Sequence, residues 1–132
     1  MKTYFCKSKY HFLKYFILNA KKQILGRFST KICNILQGKT TSYYTPGCDL
    51  GNIIIILNAN LIQISGKKYK YKFYYKISNR PGNLYYETFN ELQNRIPHRI
   101  LLKAIFGMLP KNKIGRQQFK KVYIYTKTPF KK

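Results

Sequence analysis

The sequence predicts a single α/β domain that opens with a βαβ unit. Three observations carry this expectation. Two apolar runs of strand length, Tyr15-Phe16-Ile17-Leu18 and Ile53-Ile54-Ile55-Ile56-Leu57, read as strands buried on both faces. Between them, apolar residues at Leu25, Phe28, Ile32, Ile35 and Leu36 fall at helical spacing. Apolar residues make up 45% of the 132, enough to bury one core and too many for a disordered basic tail.

Residues 1–14 are basic and aromatic, with Lys2, Lys7, Lys9 and Lys14 set among Tyr4, Phe5, Tyr10 and Phe12, and read as a short arm ordered on a partner. The first strand run ends at Asn19-Ala20. The helix from Leu25 closes at Gly38, a left-handed cap. Residues 43–51, with Pro46, Gly47 and Gly51, form a loop before the second strand run. From Lys67 to Lys76 lysines alternate with aromatic rings at nearly period two, the pattern of an extended ribbon with one ring face and one cationic face. A turn spans Asn79 to Asn83. Thr88-Phe89-Asn90-Glu91 has the form of a capping box, and Pro97 suits the first residue of a further helix that stops by Gly107, before Pro110. Lys111 to Lys113 form a basic turn, Ile114 to Lys120 a short helix, Val122 to Tyr125 a last strand, and residues 126–132 a basic tail.

Charge dominates the functional reading. Lys and Arg number 26 against 3 Asp plus Glu, a net charge of +23. A sphere of about 24 Å radius carrying that charge at physiological salt repels itself by on the order of 10 kcal/mol. Domain stability is only about 5–15 kcal/mol, so the isolated chain is expected to be marginal and to favour binding a polyanion. Of the basic residues, 9 fall in residues 1–66 and 17 in residues 67–132. If about ten of them touch phosphates, binding falls roughly 10³–10⁵-fold between 50 and 200 mM salt. Rings between the lysines read first as strand pattern and second as stacking platforms for bases, which favours recognition of RNA by shape and phosphate.

Other classes lose their parts. Asp49, Glu87 and Glu91 with His11 and His98 are too few for paired-carboxylate or metal-dependent catalysis, and no catalytic residue, metal or cofactor is expected. No apolar run approaches the roughly 18 residues of a membrane span, and neither a membrane nor a homo-oligomer is expected. Cys6, Cys33 and Cys48 are odd in number and widely spaced, which fits buried or incidental thiols. The turn after Leu18 lacks the glycine pattern of a nucleotide-binding loop. Lys, Ile, Asn and Tyr supply 60 of the 132 residues and Gly, Ala, Arg and Pro only 21, the imprint of an A/T-rich genome such as that of an organelle.

Particular strings then resemble a known family. They are Ile24-Leu25-Gly26-Arg27-Phe28-Ser29, Gly38-Lys39, Tyr44-Thr45-Pro46 with Asp49 and Gly51, Asn58-Ala59, Ser65-Gly66-Lys67-Lys68, Arg95-Ile96-Pro97 with Arg99-Ile100, and Gly107-Met108-Leu109-Pro110-Lys111-Asn112-Lys113 with Gly115-Arg116. In order from Tyr15 to Tyr125 these resemble the bacterial-type large-subunit ribosomal protein L-thirteen family, and the stretch Leu92-Gln93 with Arg95-Ile96-Pro97 resembles its cyanobacterial and plastid branch most. The resemblance implies a three-layer α/β/α fold with a small, mainly parallel sheet, plus basic loops and terminal extensions.

It also implies a non-enzymatic protein that binds large-subunit ribosomal RNA early in assembly, beside neighbouring ribosomal proteins, in a plastid ribosome ahead of a mitochondrial or bacterial one. The matching RNA contacts are Arg27, Lys39, Lys67, Lys68, Lys111, Lys113 and Arg116; charge and position add Lys70, Arg80, Lys120 and Lys121. Gly107 and Pro110 are expected to shape the turn presenting Lys111 to Lys113. The family's usual Thr-Pro-His stands here as Thr45-Pro46-Gly47, its Gly pair as Gly82-Asn83, and its His-rich tail as residues 126–132. Two other readings remain, an RNA-processing enzyme with a degenerate nucleotide fold and a non-ribosomal RNA chaperone.

Overall fold

A computed structural model describes residues 13–42 and 44–128. Most of the expected arm over 1–14 and the end of the expected tail over 126–132 lie outside these residues.

The βαβ unit forms as the apolar pattern requires. Strand β1 (Tyr15–Asn19) runs parallel to β2 (Ile53–Leu57) in the register Phe16↔Ile54 and Leu18↔Ile56, with helix α1 (Leu25–Gln37) between them. Gly38 ends α1 at φ 75° and its N–H reaches the Asn34 and Ile35 carbonyls, the left-handed cap a Cβ would resist. A third strand, β5 (Val122–Ile124), pairs parallel on the other side of β2, so the sheet order is β1-β2-β5. The chain is thus an α/β protein with a small, mainly parallel sheet.

Only β2 is central. β1 lies at an edge, contrary to the expectation of a strand buried on both faces: Phe16 and Leu18 pack on the core while Tyr15 and Ile17 are 69% and 65% exposed. The cause is that this face of the sheet is poorly covered by the described residues: Tyr123, in register with Ile17 across Ile55, is 51% exposed as well. On the packed face, Ile54 and Ile56 meet Phe28, Ile32 and Leu36 of α1 and Ile100, Leu101 and Ile105 of α4 (Pro97–Met108), all buried. Each such side chain stabilises by about 2 kcal/mol.

The ribbon departs from expectation at its start. Lys68–Tyr71 forms one helical turn, α2, and the extended stretch begins at β3 (Phe73–Ile77), which pairs antiparallel with β4 (Leu84–Thr88). Glycine at position 66 (φ 67°) precedes this turn. The alternation holds within β3: Phe73, Tyr75 and Ile77 are exposed on the outer face, and Tyr74 and Lys76 face inward over the helices.

Thr88 caps α3 (Phe89–Arg95) as the sequence predicts. The Glu91 N–H donates to Thr88 Oγ1 at 3.3 Å and the Thr88 N–H to Glu91 Oε2 at 2.8 Å. The Thr88 backbone N–H, with the Thr88 hydroxyl, holds the Glu91 carboxyl below its ordinary pKa. Pro97 opens α4, which ends at Met108 as Leu109 turns extended before Pro110. Helix α5 (Lys113–Phe119) leads into β5.

Candidate nucleic-acid interface

Cations reach the surface from nearly every element, and the fold sorts them into groups. Arg27 in the first turn of α1, Lys68 in α2 and Lys72 at the start of the hairpin rim one pocket of about 340 Å³, floored by Leu25, Ile64, Ala104 and Met108. Thus Arg27 and Lys68, 41 residues apart, border one pocket. Lys67 and Lys70 belong to the same helical turn as Lys68 and are exposed.

The second group is the turn between α4 and α5. Asn112 is the N-cap of α5, its Oδ1 accepting from the Gly115 N–H at 2.8 Å, which leaves Lys111, Lys113 and Arg116 exposed around the turn. Of the two residues expected to shape this turn, Pro110 does so and Gly107 does not. A Cβ on Gly107 meets nothing within 4 Å, whereas one on Gly115 would stand 1.9 Å from the Pro110 carbonyl oxygen. Backbone crosses backbone there, so Pro110 and Gly115 set the turn and Gly107 is an ordinary helical residue. Lys120 is exposed at the end of α5. Lys39 is exposed just beyond the α1 cap, and Arg80 stands in the hairpin turn away from both groups.

Lys121 has a different environment. Its Nζ donates to Asp49 Oδ1 at 2.8 Å and to the Gly51 carbonyl at 3.0 Å, and its side chain is 19% exposed. It fastens the 44–51 loop to the α5–β5 junction.

Sequence reasoning left four cations out of the site. Lys76, Arg95, Arg99 and Lys103 line a groove of about 410 Å³ between the hairpin and helices α3 and α4, with Tyr74 and Tyr85 in its wall. Part of the signal was present, since Arg99 and Lys103 are spaced four apart in α4 and share one helical side, whereas Arg95 belongs to α3, beyond the break at Ile96. Arg95 is paired with Glu87. Lys103 and Lys72 place their ammonium groups 5.0 and 5.4 Å from the centroid of the Tyr74 ring. Burial raises the Tyr74 phenol above its ordinary pKa, so it stays neutral.

Among the described residues no group of His, Cys, Asp and Glu can hold a metal ion, and no helix is long and apolar enough to cross a membrane. Among the described residues, cations are exposed at many separate points of the surface.

The family model described as Ribosomal protein L13 matches residues 13–131. The chain belongs to the ribosomal protein L13 family. Relatives named "Large ribosomal subunit protein uL13" include that of Synechococcus sp. (strain CC9902), 45% identical over 87% of this chain and 77% of the relative. Those of Prochlorococcus marinus strains MIT 9312 and MIT 9301 are 47% and 45% identical, each over 84% of this chain and 78% of the relative. L13 membership fits the α/β fold, and these relatives are cyanobacterial, the branch that the Arg95-Ile96-Pro97 stretch resembled. Within this L13-family chain, the string from Gly107 to Arg116 spans the α4–α5 turn, so the most specific motif of the sequence carries one of the exposed cation groups.

Proposed function

We propose that the chain is a structural protein of the large ribosomal subunit that binds and compacts ribosomal RNA by neutralising phosphates at several separated points. The observation that carries this is an L13-family fold whose cations emerge from different elements with almost no carboxylates among them. Arg27, Lys67, Lys68 and Lys70 form one contact region, and Lys111, Lys113, Arg116 and Lys120 another. Lys39 and Arg80 act singly. Lys121 serves the interface by holding the 44–51 loop in place. Cations held apart on a rigid body draw separate RNA segments together and remove the repulsion that opposes their packing. Such a role belongs early in subunit assembly.

The same reading assigns residues 15–125 to the RNA-binding body and residues 1–14 and 126–132 to basic extensions. A/T-biased composition together with cyanobacterial relatives supports a plastid ribosome. The test is fractionation of purified plastids and mitochondria on gradients in sub-molar salt. The chain is expected in plastid large subunits; finding it only in the free pool defeats the ribosomal assignment, and finding it on mitochondrial subunits defeats the plastid one.

A further inference from the structure

We propose that the groove between the hairpin and helices α3 and α4 grips the phosphodiester backbone of the RNA, with Arg99 and Lys103 as its binding cations. The inference rests on the RNA-binding reading above and adds to it a site that the sequence did not single out.

The groove is assembled from three elements. Lys76 comes from β3, Arg95 from the last turn of α3, and Arg99 and Lys103 from successive turns of α4. A single carboxylate, Glu87, faces these four cations; its side chain is 13% exposed and it is paired with Arg95. Lys76, Arg99 and Lys103 therefore converge without a counter-charge among the described residues. Like charges held together in a concave wall repel, and the arrangement becomes favourable when an anion enters between them.

Two features distinguish this groove from a solvated basic face. Its cations are held: Arg99 is half-buried, and Lys103 rests over the Tyr74 ring, which is itself fixed in the hairpin wall opposite Glu87. Positioned donors lose less rotamer freedom on binding than free lysines do. The walls also match a nucleotide. Ser78, Asn83 and Tyr85 offer neutral donors and acceptors beside the cations, suited to ribose hydroxyls next to a phosphate. Arg99 brings the planar fork that meets phosphate oxygens two at a time.

The test uses the full chain and transcribed large-subunit ribosomal RNA, with affinity measured across a salt series. The double variant Arg99→Gln with Lys103→Gln is expected to reduce the steepness of log affinity against log salt by about 1.4–1.8, and to weaken binding roughly 25- to 60-fold near 0.1 M salt. The charge-keeping variant Arg99→Lys with Lys103→Arg should retain the slope, which separates lost phosphates from a damaged fold. Lys111→Gln with Lys113→Gln serves as the reference for the other interface. If that reference loses slope while the Arg99 and Lys103 variant keeps it, the groove proposal is overturned and the RNA-binding reading stands. If the unmodified chain prefers no ribosomal RNA over bulk RNA, the reading itself falls. A glutamate-rich peptide that loses affinity on the Arg99 and Lys103 changes, while RNA does not, would assign the groove to an acidic protein and sink the proposal.

Discussion

The Cys33 thiol lies in the seam between α1 and α4, where it donates to the Ile105 carbonyl at 3.7 Å. Burial pushes its pKa up to about 11, with Lys39 pulling weakly the other way. An unfolded thiol ionises near about 8.5, so between that pH and about 11 the unfolded chain binds fewer protons than the folded one. Stability therefore falls as pH rises through this window, by an amount the Cys33→Ala variant should not lose; comparing urea midpoints of the two proteins at pH 8 and pH 10 isolates the effect from lysine titration. At neutral pH Cys33 should resist thiol reagents until the chain unfolds. Gly115 is the other position where one residue governs a larger object. Gly115→Ala drives a methyl into the Pro110 carbonyl, and opening that turn should cost about 1–3 kcal/mol. Thermal melting measures the cost. A variant as stable as the parent would show that the α4–α5 turn is not set by this crossing.

At the scale of elements, sequence patterns were readable wherever local chemistry acts alone. The capping box at Thr88, the left-handed cap at Gly38, Pro97 at the start of α4 and the parallel pairing of two apolar runs all follow from neighbouring residues. What escaped were facts of the tertiary partner. Ile17 is as apolar as Ile55, yet one stands at a sheet edge and the other in the centre. Leu84 to Glu87 became a strand only because β3 lies beside it. The site divides in the same way: the cations of the Gly107 to Arg116 string were visible as a motif, but the groove formed by Lys76, Arg95, Arg99 and Lys103 exists only after the hairpin folds over α4. Lys121 was indistinguishable in sequence from its neighbour Lys120, and the Asp49 carboxylate separates them. Lys121→Met should accordingly cost about 2 kcal/mol of stability, since a part-buried Asp49 loses a charged hydrogen bond. Lys120→Met should instead leave stability unchanged and reduce the salt slope of RNA binding by roughly 0.7–0.9. Equal behaviour of the two variants in urea titration and in RNA binding would contradict the separation of roles.

For the whole molecule the decisive fact is what its carboxylates are doing. Asp49 is paired with Lys121, Glu87 with Arg95, and Glu91 caps α3 through Thr88, so all three are engaged in structure. None is left to offset the remaining cations, and the whole chain carries a net charge of +23. Self-repulsion on the order of 10 kcal/mol then opposes compaction in dilute buffer, and counter-ions relieve it by shortening the range over which charges interact. The melting temperature of the isolated chain should therefore climb steadily as salt rises from 20 to 300 mM, although salt weakens its ion pairs. Ribosomal RNA should do more at far lower concentration: at a hundredfold excess over Kd, mass action adds about 2.7 kcal/mol, a shift on the order of 10 °C for a chain of this size. Because salt competes with RNA for the same cations, the two effects should not add, and the RNA-induced shift should shrink as salt increases. A melting temperature indifferent to salt and to RNA would mean that the surface charge is already balanced within the folded chain, which the pairing of its three carboxylates rules against.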